Sequence, residues 1–435
     1  MDDMLVYALE QLAAGISILL MGICGVQLLG RFVRVVRGQE AADGLGAKRR
    51  FALGAHLAPG AHLVPGAHLV LAALAGLMSR LALYLLAYAM YRLLHVGSDG
   101  LLESLEPLWT HWDTRHYTGI ALEGYTSVGD ERLRLVFFPL YPLLMRLIAP
   151  LAGGSVFFGG VLISLVCSAA ASALTYDLAY MHFGRETAMR STAYFLLSPL
   201  SVFLCCVYTE ALFICLTLLG VCLLRRGHRW AAAACGMLSA FTRMPGVIIA
   251  GLLIIDFCGR IPKKQADARA LLACAAQVAI VFAGLAAYWA VNYAVTGDAF
   301  MYLTYQKENW YQQPGSFWQS TANTMHYFAT GMGESDWLWT WGFQLLCMLG
   351  MYLLLAFGCD SIPFDLAAYS FVYVAVVLSP TWLLSGPRYL YALCALPLLL
   401  SRLRVSRQAH GLLLAISGVL LVLWTFGYTI AVQVL

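Results

Sequence analysis

The sequence predicts an all-α polytopic membrane protein with about ten crossings and added re-entrant or interfacial helices. Three observations predict it. Hydrophobic residues make up 61% of the 435 and charged residues only 11%, with a mean hydropathy of +0.75. Soluble domains carry about 45–50% apolar and about 25% charged residues, so this chain lacks the charge to face water all round. Its apolar residues also fall in runs of the length that crosses a bilayer, roughly 17–25 residues. Finally, basic residues collect between particular runs, the asymmetry that orients membrane helices. The net charge of +4 is small and leaves no nucleic-acid footprint.

The first run, 5–29, follows Asp2 and Asp3, not a basic segment. It exceeds a signal-peptide core and lacks a small-residue cleavage site, so it reads as a retained helix. Arg31, Arg34, Arg37, Lys48, Arg49 and Arg50 put the following loop in the cytoplasm. That loop ends in "GAHLAPGAHLVPGAHLVL", which spaces His56, His62 and His68 evenly. A spacing of six does not align side chains on a helix, where i, i+3 and i+4 meet. The repeat reads as a tolerated insert, not a metal tract.

The second run is 69–94, and a polar loop, 95–136, follows outside the cytoplasm. Residues 137–151 do not cross as an ordinary span. Further crossings are expected at 156–178, 188–206 and 208–224. Segment 230–257 has basic residues on both sides (Arg225, Arg226 and Arg229; Lys263 and Lys264) and is broken by "TRMPG". Pro245 and Gly246 interrupt the helical ladder, which predicts a re-entrant pair of helices with Arg243 near its tip. Next come a crossing at 270–295 and a second outer loop, 296–336, carrying "YQKENWYQQPGSFW" with Gln306 and Trp310. Crossings at 337–358, 366–384, 388–403 and 410–432 complete the bundle, with Arg402, Arg404 and Arg407 inside. Three parts result: N-terminal spans 1–95, an outer loop 96–136, and the bundle 137–435. All twelve cysteines lie in or beside apolar runs and none in the outer loops, so they read as small hydrophobes.

Ionisable residues at a membrane are costly and therefore functional candidates. "HWDTRHY" gathers His111, Trp112, Asp113, Arg115, His116 and Tyr117 in one outer loop. Asp113 has two readings of equal standing. A carboxylate at a partly dry membrane edge can be tuned into a general base, and aspartate is also a good helix N-cap. "VFFPLYPLL" sets Phe138 between aromatics and prolines as an interfacial anchor. Tyr208, Thr209 and Glu210 form a turn, where Glu210 binds a polar substrate or serves as a first-turn acid. Arg243 and Arg388 sit in apolar surroundings beside helix breaks and offer a planar fork suited to phosphate. Snorkelling to headgroups is the alternative for Arg388, and the preferred reading for Arg80 and Arg92. There is no GxxxxGK[ST], GxSxG, HExxH or paired CxxC, so neither ATP coupling, metal nor cofactor is expected.

Taken in order, "HWDTRHYTGIALEGY", "FFPLYPLLMRL", "SPLSVFLCCVYTEALF", "AFTRMPGV" and "SGPRYLYALCALPLL" resemble the PIG-V-type mannosyltransferases. The resemblance runs from about Trp109 to Leu400 and leaves out the N-terminal hundred residues. It implies a GT-C-type helical bundle and an inverting glycosyltransferase. Mannose, or a related hexose, would pass from a polyprenyl-phosphate-linked donor to a hydroxyl of a glycan or glycolipid acceptor, forming an α-mannoside. The family's Trp-Asp pair falls on Trp112 and Asp113, which implies Asp113 as catalytic base, and its histidine falls on His116. Its Phe-Phe-Pro falls on Phe137, Phe138 and Pro139, its small-x-Glu turn on Thr209 and Glu210, and its Thr-Arg on Thr242 and Arg243. Arg243 and Arg388 would hold the donor phosphate. Trp112, Arg115, His116, Phe138, Tyr208, Glu210, Gln306 and Trp310 would contact substrate. The second outer loop lacks the extended cysteine-bearing segment of eukaryotic members, which points to a prokaryotic acceptor. The implied place is a bacterial or archaeal plasma membrane with an extracytoplasmic site, or the endoplasmic reticulum membrane with a lumenal one. A transporter or flippase of a lipid-linked sugar is the alternative, since broken helices and buried arginines serve carriers too.

Overall fold

The computed structural model describes residues 3–44, 64–94, 100–332 and 337–431. Lys48, Arg49, Arg50, His56 and His62, and the loop segments 95–99 and 333–336, lie outside the described residues. Among the described residues all regular structure is helical. In chain order come α1 (Asp3–Val36), α2 (Gly66–Leu94), α3 (Leu101–Trp109), α4 (Asp113–Glu123), α5 (Leu140–Ile148) and α6 (Val156–Phe183). Then follow α7 (Arg185–Leu197), α8 (Glu210–Arg225), α9 (Arg229–Thr242), α10 (Ile249–Cys258), α11 (Ala268–Thr296) and α12 (Met301–Trp310). The last third holds α13 (Phe317–Thr330), α14 (Phe343–Gly358), α15 (Phe364–Val377), α16 (Gly386–Tyr391), α17 (Leu396–Ser401) and α18 (Arg407–Thr429).

Seven of the described helical stretches are long and apolar enough to cross a membrane: Asp3–Val36, Gly66–Leu94, Val156–Phe183, Met244–Lys263, Ala268–Thr296, Leu338–Ser361 and Arg407–Thr429. An eighth is added if Asp130–Val136 and Leu140–Ala152, bent by 106°, count as one broken span. Four expected crossings are built from shorter helices than the sequence reading implies. Run 188–206 splits into α7 and a 3-10 turn at Pro199–Leu204, and run 208–224 is the sixteen-residue α8. Run 366–384 gives α15, and 388–403 gives α16 and α17, each started by a proline at its first turn. These runs are apolar because protein surrounds them. Phe203, Phe213, Leu218, Val374 and Leu393 are all buried in one continuous core.

Arg80 is a second correction. It does not snorkel; its side chain is fully buried. Proline at 199 cannot donate to Phe195, and Tyr391 fills that gap with a 2.8 Å bond to the Phe195 carbonyl. Arg80 satisfies the next carbonyls, donating to Leu196 at 2.9 Å and to Ser201. Arg92 is exposed, with its head on Tyr88. His68, in the first turn of α2, meets the Tyr176 hydroxyl at 3.3 Å.

The expected break at Arg243 is present, and α9 and α10 double back on each other. Met244–Lys263 is long and apolar enough to cross, however, which departs from the non-crossing pair expected at 230–257. A Cβ on Gly246 would lie 2.2 Å from the Ala240 nitrogen, so only glycine lets the arms meet. Arg229, at the start of α9, reaches Asp256, near the end of α10, at 2.7 Å and closes the hairpin's open end. Basic groups gather at that end of the bundle. Arg225 holds Asp365 through two bonds of 2.5 and 2.8 Å, and Arg31 donates to the Cys359 carbonyl at 2.6 Å. Helix α8 carries Arg225 at this end and Glu210 at the other, a rise of about 24 Å. At the opposite end, where Glu210 and Arg243 lie, residues of segments 95–136 and 296–336 converge.

Candidate active site

Helix α4 starts abruptly. Trp112, the residue before it, has φ +43° and ψ −114°, a conformation that costs a non-glycine residue about 1–3 kcal/mol. That kink makes Asp113 the first helical residue, inside the N-cap position, and its side chain makes no capping bond among the described residues. The N-cap reading of Asp113 is therefore not realised; Oδ2 accepts from Arg388 Nη2 at 2.6 Å instead. The other end of α4 is tied down by Arg146, which donates to the Ala121 and Leu122 carbonyls at 2.6 Å each.

Arg388 is presented by the short α16. Gln344 of α14, fully buried, accepts from the Gly386 amide at 3.0 Å and donates to the Leu383 carbonyl at 2.5 Å, fixing the turn ahead of it. Arg388 does not snorkel, since its side chain is 8% exposed. Its Nε donates to Glu210 Oε1 at 2.6 Å, and Arg243 donates to the same oxygen. Glu210 is fully buried, and its Oε2 has no hydrogen-bond partner among the described residues. Arg243 reaches it because residue 243 is extended (φ −159°, ψ 144°) between α9 and the following turn. Aromatic faces flank both cations: the Tyr208 ring lies 4.6 Å from Arg388 and the Tyr389 ring 4.8 Å from Arg243. The result is a string, Asp113–Arg388–Glu210–Arg243, with two carboxylates and two guanidiniums.

Two chambers meet at that string. One, of about 170 Å³, is lined by Asp113, Tyr117, Phe137, Phe138, Thr242, Arg243, Gln306, Trp310, Gln312, Arg388 and Tyr389, among others. The other, of about 250 Å³, is lined by Trp112, Asp113, His116, Phe203, Tyr208, Trp310, Gln312, Trp382, Ser385, Arg388 and Tyr389, among others. Asp113 and Arg388 stand in both. Phe138 stacks on Tyr288 at 3.9 Å, and His116 stacks on Phe137 at 4.6 Å. Burial is the main cause that lowers the His116 pKa below its ordinary value, with Asp113 opposing and Arg134 adding to it. His111 is lowered in the same direction, by burial first and then by Arg115.

Most expected site residues therefore assemble: Asp113, Arg243, Arg388, Trp112, His116, Phe138, Tyr208, Gln306 and Trp310 all line a chamber. Two do not. Arg115 is exposed on α4 and lines neither chamber. Glu210 lies behind the arginines and acts through them, since no surface of it is open to a ligand. Residues that sequence reasoning passed over are Gln312, Trp382, Ser385 and Tyr389. Gln312 lies in the amide-rich stretch that flags Gln306, and Tyr389 is next to Arg388. Among the described residues no three His, Cys, Asp or Glu side chains are placed to hold a metal ion.

A family model described as mannosyltransferase (PIG-V) matches residues 98–307. Among curated proteins, the GPI alpha-1,6-mannosyltransferase 2 of Mus musculus is 32% identical over 184 residues, 40% of this chain and 36% of the relative. The protein of the same name from Homo sapiens is 32% identical over 172 residues, 37% of this chain and 34% of the relative. The chain thus spans about a third of the length of these relatives. No solved structure matches it. The matched segment holds Asp113, Tyr208, Glu210 and Arg243, while Arg388 comes from beyond it.

Proposed function

Taking as premise that residues 98–307 belong to the PIG-V mannosyltransferase family, we propose that the chain is an inverting, membrane-embedded mannosyltransferase. Its donor is a polyprenyl-phosphate-linked mannose, or a related hexose, and its acceptor a hydroxyl of a glycan or glycolipid on the extracytoplasmic face. The observation that carries this reading is Arg388 bridging Asp113 and the buried Glu210 where two chambers join.

The smaller chamber, walled by Arg243 and Arg388, suits the donor phosphate. Glu210 holds one donor of each guanidinium. Arg388 Nη1 and Arg243 Nη2 make no hydrogen bond among the described residues, so fork-shaped donors remain for phosphate oxygens. The larger chamber, with Trp112, Trp382 and Trp310, offers the flat apolar faces and polar edges that a sugar ring needs. Asp113 lies between them. Its Oδ2 is held by Arg388, and Oδ1 has no hydrogen-bond partner among the described residues.

In the proposed step the acceptor oxygen attacks the anomeric carbon as its proton passes to Asp113. The bond from that carbon to the phosphate oxygen breaks, and its electron pair leaves on the phosphate. The arginines, with side chains only 8% and 15% exposed, stabilise that charge, and such fixed, largely buried donors act most strongly. Direct displacement turns a β-linked donor into an α-mannoside, in keeping with the alpha linkage in the relatives' names. No metal or cofactor enters the scheme.

The test supplies membranes containing the full chain with polyprenyl-phosphate-mannose and follows mannosylated lipid by mass spectrometry. Transfer should occur with the wild-type chain and fall at least about a hundredfold in Asp113→Asn. Undiminished transfer by that variant removes the base role. Transfer from a nucleotide-sugar and not from the lipid-linked donor removes the donor assignment.

A further inference from the structure

At the end of the α9–α10 hairpin opposite Arg243 lies a separate cavity of about 470 Å³, lined by His228, Arg229, Trp230, Ala231, Arg260 and Gln277, among others. Three features mark it as built for an anion. First, Arg229 and Arg260 share one carboxylate: Asp256 Oδ2 lies 2.7 Å from Arg229 Nε and 3.4 Å from Arg260 Nε. Two guanidiniums against one carboxylate leave a net positive charge at the cavity wall. Second, the wall includes the first turn of the fourteen-residue α9, where the Trp230 and Ala231 amides have no intrahelical acceptor. The partial positive charge of that helix end points the same way. Third, Gln277 of α11 lines the same cavity, is only 2% exposed, and makes no hydrogen bond among the described residues. Its carboxamide is not sealed in the core but opens on the cavity, where a ligand oxygen can accept from it.

We propose that this cavity binds a phosphate-bearing group, held by Arg229, Arg260, the α9 amides and the Gln277 carboxamide. The site stands apart from the sugar-transfer chambers: α9 alone separates it from Arg243 by about 21 Å. It lies at the basic end of the bundle, beside the half-exposed Trp230, a residue type favoured at membrane interfaces. An anionic phospholipid headgroup is available at such a depth, and it would brace the closed end of the hairpin whose tip carries Arg243.

The full chain, reconstituted in nanodiscs, tests this through its thermal midpoint. Phosphatidylglycerol is titrated into phosphatidylcholine discs in one arm, and inorganic phosphate is added to pure phosphatidylcholine discs in the other. Binding to the folded chain should raise the midpoint with ligand. Arg260→Gln and Gln277→Leu should each raise the half-saturating ligand at least about tenfold. Arg407→Gln, which removes an equal charge elsewhere at the basic end, should leave it unchanged. A rise confined to phosphatidylglycerol assigns a lipid headgroup, and one reproduced by inorganic phosphate assigns a soluble anion. No rise in either arm, or a rise that survives both cavity substitutions, overturns the proposal. If Arg260→Gln does not fold, Gln277→Leu decides alone, because Gln277 holds no bond in the folded chain.

Discussion

Asp113 and Arg388 stand 275 positions apart in the chain and 2.6 Å apart in space. The pairing sets a sharp demand on residue 388, whose planar fork spans Asp113 through Nη2 and Glu210 through Nε at once. A lysine carries the same charge but not two donors at a fixed angle. Arg388→Lys should therefore fold yet lose at least about a hundredfold in kcat, because the site keeps its charge and loses its geometry. Glu210→Gln should act in the same direction by loosening both arginines. Steady-state transfer assays on protein shown to elute as the wild type does would check this. A Lys variant with wild-type kcat would reduce Arg388 to a point charge.

Arg80 yields a stability prediction with no bearing on chemistry. Arg80→Met keeps most of the side-chain volume but leaves the Leu196 and Ser201 carbonyls short of a donor in the core. Ser201 still donates to Leu196 at 2.9 Å, and the Ser201 carbonyl stays inside the 3-10 turn Pro199–Leu204, so neither carbonyl is fully orphaned. The cost should be about 1–3 kcal/mol for the hydrogen bonds lost from a charged donor. Thermal melts in detergent should show a clear drop in midpoint, while kcat of the surviving folded protein stays unchanged.

These cases also show what the sequence makes legible. In a chain with 11% charge, Asp113, Arg243 and Arg388 stand out by contrast, and contrast is enough to find them. Aromatics have no such contrast here, so Trp382 and Tyr389 pass unnoticed among many similar rings. Apolar runs announce burial but not its partner: the largely exposed α18 and the core helix α8 read alike in sequence. Arg80 is misread for a related reason. Snorkelling is the default for an arginine in an apolar helix, and nothing local reveals that Pro199 has opened a ladder 119 positions away in need of a donor. Glu210 is found as a candidate, but its place behind the arginines belongs to tertiary packing alone.

The lowered pKa values of His116 and His111 predict acid sensitivity. Their ordinary value is 6.5, and burial lowers both in the folded chain. Between the folded and unfolded values the unfolded chain binds more protons, so stability rises with pH through that window. Going down from neutral pH, stability should begin to fall near pH 6.5 and continue until the folded-state values are passed. His116→Phe keeps a ring against Phe137 and removes the titration. The midpoint difference between pH 7.5 and 5.5 should shrink in that variant, and His111 should account for part of what remains. An unchanged difference would mean that His116 does not titrate in this range.

Trp112 separates backbone strain from side-chain function. Its φ of +43° is easy for glycine and costly for anything with a Cβ. Trp112→Ala keeps that cost and loses the indole; Trp112→Gly loses both. The two variants lack the same contact with the larger chamber, so both should show a similar rise in acceptor KM. Their stabilities should differ in the direction opposite to the usual ranking, with the glycine variant the more stable by about 0.5–1 kcal/mol in spite of its looser unfolded chain. Melting both under one condition reads that difference directly. An alanine variant at least as stable as the glycine one would mean that the turn before Asp113 relaxes freely, and that nothing in the backbone holds the carboxylate against Arg388.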